Sequence, residues 1–164
     1  MKLPLSLVQI ATAEIGTEEV DGTNCGPRVN EYKRATNLPA TEPWPWCAAF
    51  ICWCVRGALR LTKTAETDTF KRPTTAGAWD FANWSKRQDA STQTRSNFGT
   101  DIQPGDIVIF KFSHIGLATS APNESGFIST VEGNTDGEGS REGGAVLKKT
   151  RHLSKIKTRI RFTV

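Results

Sequence analysis

The sequence predicts an α+β domain, with N-terminal helices packed on a C-terminal antiparallel β-sheet, because its hydrophobic period changes partway along the chain. Before residue 62 the apolar side chains recur at helical spacing; beyond Pro104 they fall into short strand-like blocks. No linker, internal repeat or composition break separates the two halves, and 164 residues suffice for one hydrophobic core, so residues 1–164 are read as a single domain.

The first helix is expected over residues 5–15, where Leu5, Val8, Ile10, Ala11 and Ile15 keep near-helical spacing and Gly16 supplies a stop. Residues 17–26, rich in Gly, Asp, Asn and Thr, form a loop before a short helix over 29–35, and a proline-rich approach follows over 38–45. The segment CAAFICWCVRGALRL over 47–61 is dense in apolar residues and free of proline, which predicts a largely buried helix weakened toward its end by Gly57. Residues 62–99 are polar and read as loops around a short helix over 76–86. The blocks DIVIFKF, HIGLATS, GFISTVEG, AVLKKTRHL and TRIRFTV then supply the strands.

Composition narrows the function classes. A formal net charge of +4 favours approach to anionic surfaces, but no arginine-rich run or nucleic-acid motif accompanies it, so no nucleic-acid partner is expected. The basic stretch from Lys148 through Lys149, Arg151, Lys155, Lys157 and Arg159 to Arg161 alternates with apolar residues and reads as a half-exposed strand. Pro4 interrupts the N-terminal apolar run, and Glu14 follows where small residues would mark a cleavage site, so a protein made in the cytoplasm without a signal peptide is expected. No stretch approaches the ~20 apolar residues of a membrane span, so no membrane insertion is expected either. The cysteines at 25, 47, 52 and 54 lack the paired spacing of a zinc site, and Cys52 and Cys54 point in different directions on one helix, which disfavours a bridge between them.

Among these cysteines Cys47 stands at the start of the buried helix, where free backbone amides and the helix dipole favour negative charge on sulfur. The same amides suit the oxyanion formed when a thiolate attacks an amide carbonyl. His114, in the turn SHIG with Ile115 and Leu117 alternating behind it, can project from a sheet edge as the general base, whereas His152 in KKTRHLSK reads as a surface residue. In the segment VEGNTD, Glu132 and Asn134 share strand parity, and either can orient the imidazole. Trp44, Trp46, Trp79 and Trp84 are candidates both for the walls of a substrate groove and for the core.

Five segments in order, EIGTEE, PWCAAFICW, PGDIVIF, SHIGLA and TVEGNT, resemble the CHAP family, the cysteine, histidine-dependent amidohydrolases and peptidases of the papain-like, NlpC-type group. The resemblance implies a papain-like CHAP fold, with Cys47 as nucleophile, His114 as base and Glu132 as orienting residue, Asn134 supporting the site or sharing that role. It implies a peptidoglycan hydrolase acting at the bacterial cell wall, either an N-acetylmuramoyl-L-alanine amidase or a stem or cross-bridge endopeptidase. The acyl-enzyme chemistry requires no cofactor. Some relatives bind calcium in an acidic N-terminal loop, for which Glu18, Glu19, Asp21 and Asn24 are the candidates here, although their spacing is not that of an EF-hand. The biological setting expected is a monomeric phage endolysin released through a holin, the alternative being a delivered antibacterial effector with an immunity protein. The reading from another class is a non-catalytic envelope-binding module.

Overall fold

The computed structural model describes residues 1–135 and 143–164. Helix α1 spans Leu3–Ala13, with Pro4 in its first turn, where a missing N–H costs no helical bond. Its buried stripe is Leu3, Leu7 and Ala11, at intervals of four residues, and Leu5 and Ile15 point to solvent instead of joining the core as expected. Pro27 starts α2 (Pro27–Lys33), two residues ahead of the expected position. Helix α3 (Cys47–Thr62) is the central element: ten of its residues are buried, and it packs against α1, α2 and two strands of the sheet. Lys63 in left-handed conformation ends it. Helix α4 (Asp80–Lys86) is shorter than the sequence suggests.

Among the described residues six strands form one antiparallel sheet: β1 (Thr92–Arg95), β2 (Ile107–Phe110), β3 (Ile115–Ala118), β4 (Phe127–Thr135), β5 (Ala145–His152) and β6 (Ile156–Phe162). Their order is β1-β6-β2-β3-β4-β5. Strand β1, read from the sequence as loop, has the composition TQTR and no apolar alternation; its pairing with β6 defines it. Ile107 and Ile109 of β2 belong to the main cluster shared with the helices, whereas Val108 and Phe110 belong to a second cluster with Ile102, Ala118, Ile128 and Ile156. Both faces of β2 are therefore covered, which explains an unbroken apolar run where a half-exposed strand would alternate.

The basic C-terminal stretch is less exposed than its pattern suggests. Arg159 is fully buried, with Nη2 2.7 Å from Asp101, and Arg161 donates to both Asp101 and Asp106. Lys33 is also fully buried, donating to the backbone carbonyls of Asn24 at 2.5 Å and Glu42 at 2.6 Å beside the Trp44 ring. It ties the loop after α1 to the approach of α3, since a buried ammonium must keep its hydrogen-bond partners.

Candidate active site

Cys47 opens α3, preceded by Trp46, whose side chain makes no capping bond. Trp46 is wholly buried and packs on Tyr32 at 5.7 Å between ring centroids. Of the two places open to it from the sequence, groove wall or core, Trp46 occupies the core beneath the helix start. Gly133 of β4 presses against the same place: a Cβ there would lie 2.8 Å from Cβ of Phe50 and 2.9 Å from the Trp46 ring. Only a residue without a side chain lets the strand approach the first turn of α3 so closely.

Cys47 is 7% exposed, the most accessible cysteine on the helix, whereas Cys52 and Cys54 are completely enclosed. Burial pushes the Cys52 and Cys54 thiols well up, so both remain protonated hydrophobes.

His114 follows a tight turn between β2 and β3, closed by the bond from the Phe110 N–H to the His114 carbonyl at 2.8 Å and by Ser113 in left-handed conformation. The turn lies at the end of an inner strand, not on a sheet edge, because β3 pairs with β2 and β4. The imidazole is fully buried and stacks on Phe110 and Phe112, both at 5.9 Å. Its Nε2 meets Oε1 of Glu132 at 2.9 Å. That leaves Nδ1, buried and without a hydrogen-bond partner among the described residues. Burial alone would lower the imidazole pKa, but Cys47 and Glu132 outweigh it and raise it to about 9. Of the two, Cys47 contributes more to that rise than Glu132, so the thiol lies close to the imidazole.

Glu132 is fully buried, and among the described residues its carboxylate accepts three bonds from two side chains besides its contact with His114. Thr130 Oγ1 lies 2.5 Å from Oε2, Arg151 Nε donates to Oε2 at 2.8 Å, and Arg151 Nη2 donates to Oε1. Burial would raise its pKa; Arg151 first and His114 next reverse that and hold it at about 2. The Arg151 guanidinium lies 5.1 Å from the Phe110 ring centre and 5.2 Å from that of Phe112, so the rings that pack His114 also fix the arginine. Sequence reading grouped Arg151 with the surface cations of its strand. The pairing of β4 with β5, which sets Arg151 opposite Ile128, brings it to Glu132. Gly116 completes the arrangement, since a Cβ at that position would lie 2.7 Å from Cγ of Glu132.

Asn134 is buried two residues beyond Glu132, but shared strand parity does not relate them. The β4–β5 register shifts between Glu132 and Thr135, and Asn134 has φ 54°. The orienting contact on His114 comes from Glu132. His152 sits apart at the end of β5, bonded to Ser154 and to the Ser125 carbonyl. Trp44 is half-buried, its Nε1 donating to the Pro39 carbonyl; Trp79 is exposed, donating to the Phe110 carbonyl beneath Lys157; Trp84 is buried against Phe81. In the acidic loop, Asp21 and Asn24 have positive φ and the Glu19 carboxylate accepts the Asn24 backbone N–H. Among the described residues no three His, Cys, Asp or Glu side chains gather as a metal cluster. All four cysteines are free thiols.

A search of curated proteins finds no match. Among solved structures, the crystal structure of a wild-type endolysin, LysIME-EF1, superposes with a TM-score of 0.58 at 18% identity, over 98% of this chain and 64% of that one. The likeness is one of fold, and the chain spans under two thirds of that endolysin's length. A family profile described as the CHAP domain matches residues 39–134, a range that includes Cys47, His114, Glu132 and Asn134 but ends before Arg151. The chain belongs to the CHAP family.

Proposed function

We propose that this chain is a peptidoglycan hydrolase that cleaves an amide bond through a Cys47 thioester, with His114 as the proton carrier. The observation that carries this reading is the buried imidazole, committed to Glu132 through Nε2, left with Nδ1 unpartnered among the described residues, and raised in pKa by Cys47 at the start of α3. Membership of the CHAP family and the fold shared with an endolysin support the substrate class.

In acylation the Cys47 sulfur attacks the amide carbonyl carbon, the carbonyl electron pair moves to oxygen, and the first amides of α3 are aimed at that oxyanion. The C–N bond then breaks as the imidazolium transfers its Nδ1 proton to the leaving amine. In deacylation the neutral imidazole takes a proton from water, the hydroxyl attacks the thioester, and the thiolate departs. Glu132 stays ionised throughout, as the partner that stabilises the imidazolium and fixes which nitrogen faces the sulfur. No step calls for a metal or organic cofactor. The natural setting proposed is that of a monomeric lysin acting at the bacterial cell wall. Among the described residues no helix is long and apolar enough to cross a membrane.

Mass spectrometry of fragments released from purified peptidoglycan tests the reading. A new free L-alanine amino terminus identifies a muramoyl amidase, and a new terminus within the stem or cross-bridge identifies an endopeptidase. Release of no fragment, or equal release by wild type and Cys47→Ala, would overturn it.

A further inference from the structure

We infer that the cavity at the far end of α3 binds phosphate groups, and that its ligand at the wall is a phosphodiester polymer. The second clause rests on the wall-hydrolase reading; the first does not. The cavity, about 400 Å³, is lined by Arg56, Leu59, Arg60, Lys63, Glu66 and Arg72, among others. Arg56, Arg60 and Lys63 are spaced four and three residues apart, which sets three cations on one face of the helix. Arg72 enters from the following segment, its Nη1 anchored on the Ala35 carbonyl at 2.8 Å.

None of these four cations lies in a salt bridge among the described residues, in contrast to Arg28, Arg151, Arg159 and Arg161. Glu66, the one acid in the lining, uses its carboxylate to accept the Arg72 backbone N–H, and Glu31 nearby is paired with Arg28. Burial and then the charges of Arg60 and Arg72 pull the Arg56 guanidinium below its usual range. Cations at a helix C-terminus do complement the helix dipole, but that effect fades beyond the last turn. Arg56 lies nearly two turns inside and Arg72 is not on the helix. Like charges four residues apart cost helix stability, and a bound anion removes that cost. Guanidinium forks match phosphate oxygens in pairs.

The lining contains no aromatic residue, so bases would have nothing to stack on, which favours a polyol phosphate over a nucleic acid. From the first residue of α3 to Arg56 is about 14 Å along the axis, so the site stands apart from Cys47 on the same rigid rod.

Calorimetric titration of the intact protein at fixed ionic strength tests this, with inorganic pyrophosphate, poly(glycerol phosphate) and an oligothymidylate of matched phosphate number. Pyrophosphate and poly(glycerol phosphate) should bind saturably. The doubly substituted Arg56→Gln, Arg60→Gln protein should bind at least about tenfold more weakly, the scale of one lost charge-assisted hydrogen bond. Arg60→Gln alone, at an exposed position, should weaken binding too, and Lys148→Gln with Lys155→Gln should not. Without ligand at low salt, the Arg56, Arg60 variant should melt no lower than wild type, because a repulsion has been removed. Absence of saturable binding by both phosphate probes, or unchanged binding by the variants, would overturn the site. Pyrophosphate binding without polymer binding, or tighter binding of the oligothymidylate, would overturn the wall polymer as its ligand. No bond is cleaved in these titrations, so their outcome is independent of hydrolysis.

Discussion

Arg151 grips both carboxylate oxygens of Glu132, through Nε at 2.8 Å and through Nη2, while the same carboxylate meets His114 at 2.9 Å. The arginine therefore acts on the imidazole at one remove, by keeping its orienting partner ionised and in place. Removing one member of a buried pair costs about 3–5 kcal/mol, mostly from the charge left behind. Arg151→Met should accordingly lower stability in urea titration and lower kcat together. Arg151→Lys, which keeps the charge but not the fork, should fall between Arg151→Met and wild type in both.

Cys47 and then Glu132 set the alkaline limit expected for activity. The imidazole pKa is raised to about 9, so the proton needed by the leaving amine is present below that pH and lost above it. The kcat/KM profile should decline on its alkaline side near pH 9. In Glu132→Gln one of the groups that raise the pKa is gone while burial still lowers it, so the decline should move to lower pH, with kcat/KM down by about 10²-fold or more.

The same shifts fix the pH range of stability. A raised histidine pKa contributes fully below about pH 6.5 and is lost as pH rises through about 9. A depressed Glu132 pKa contributes above the ordinary carboxylate range and is lost as pH falls through about 2. Urea midpoints measured across pH should therefore fall above pH 7 in wild type, and fall less steeply in His114→Ala.

Gly116 is required by space alone. With its Cβ 2.7 Å from Cγ of Glu132, Gly116→Ala should displace the carboxylate, costing about 1–3 kcal/mol of stability by overpacking and a larger share of activity. A variant with unchanged activity would show that Glu132 can move without consequence.

Thiol chemistry should separate the cysteines of α3. Brief iodoacetamide treatment of the native protein, read by peptide mass mapping, should modify Cys47 and spare Cys52 and Cys54, which are enclosed and held protonated. Loss of turnover should track labelling of Cys47.

The helix over 47–62 and the strand blocks were legible in the sequence because burial writes its period directly into apolar residues, as in CAAFICW and IVIF. Cys47 and His114 could be singled out because one stands at a helix start and the other at a short turn, and Glu132 because the segment TVEGNT marks the strand that carries it. Strand β1 was not, since the residues that define it belong to β6, 64 or more positions away. Arg151 escaped for the same reason: a cation in a basic strand reads as solvated until strand pairing shows the buried carboxylate it faces. Trp46 could not be divided between groove and core without knowing that Gly133 and Tyr32 enclose it.

The most direct test of the central claim is the rate at which purified peptidoglycan suspensions clear. Cys47→Ala and His114→Ala, each checked for folding by circular dichroism, should leave turbidity unchanged over a period in which wild type clears it, and His152→Ala should clear at the wild-type rate. Clearing by folded Cys47→Ala at the wild-type rate would contradict the assignment of Cys47 as the nucleophile.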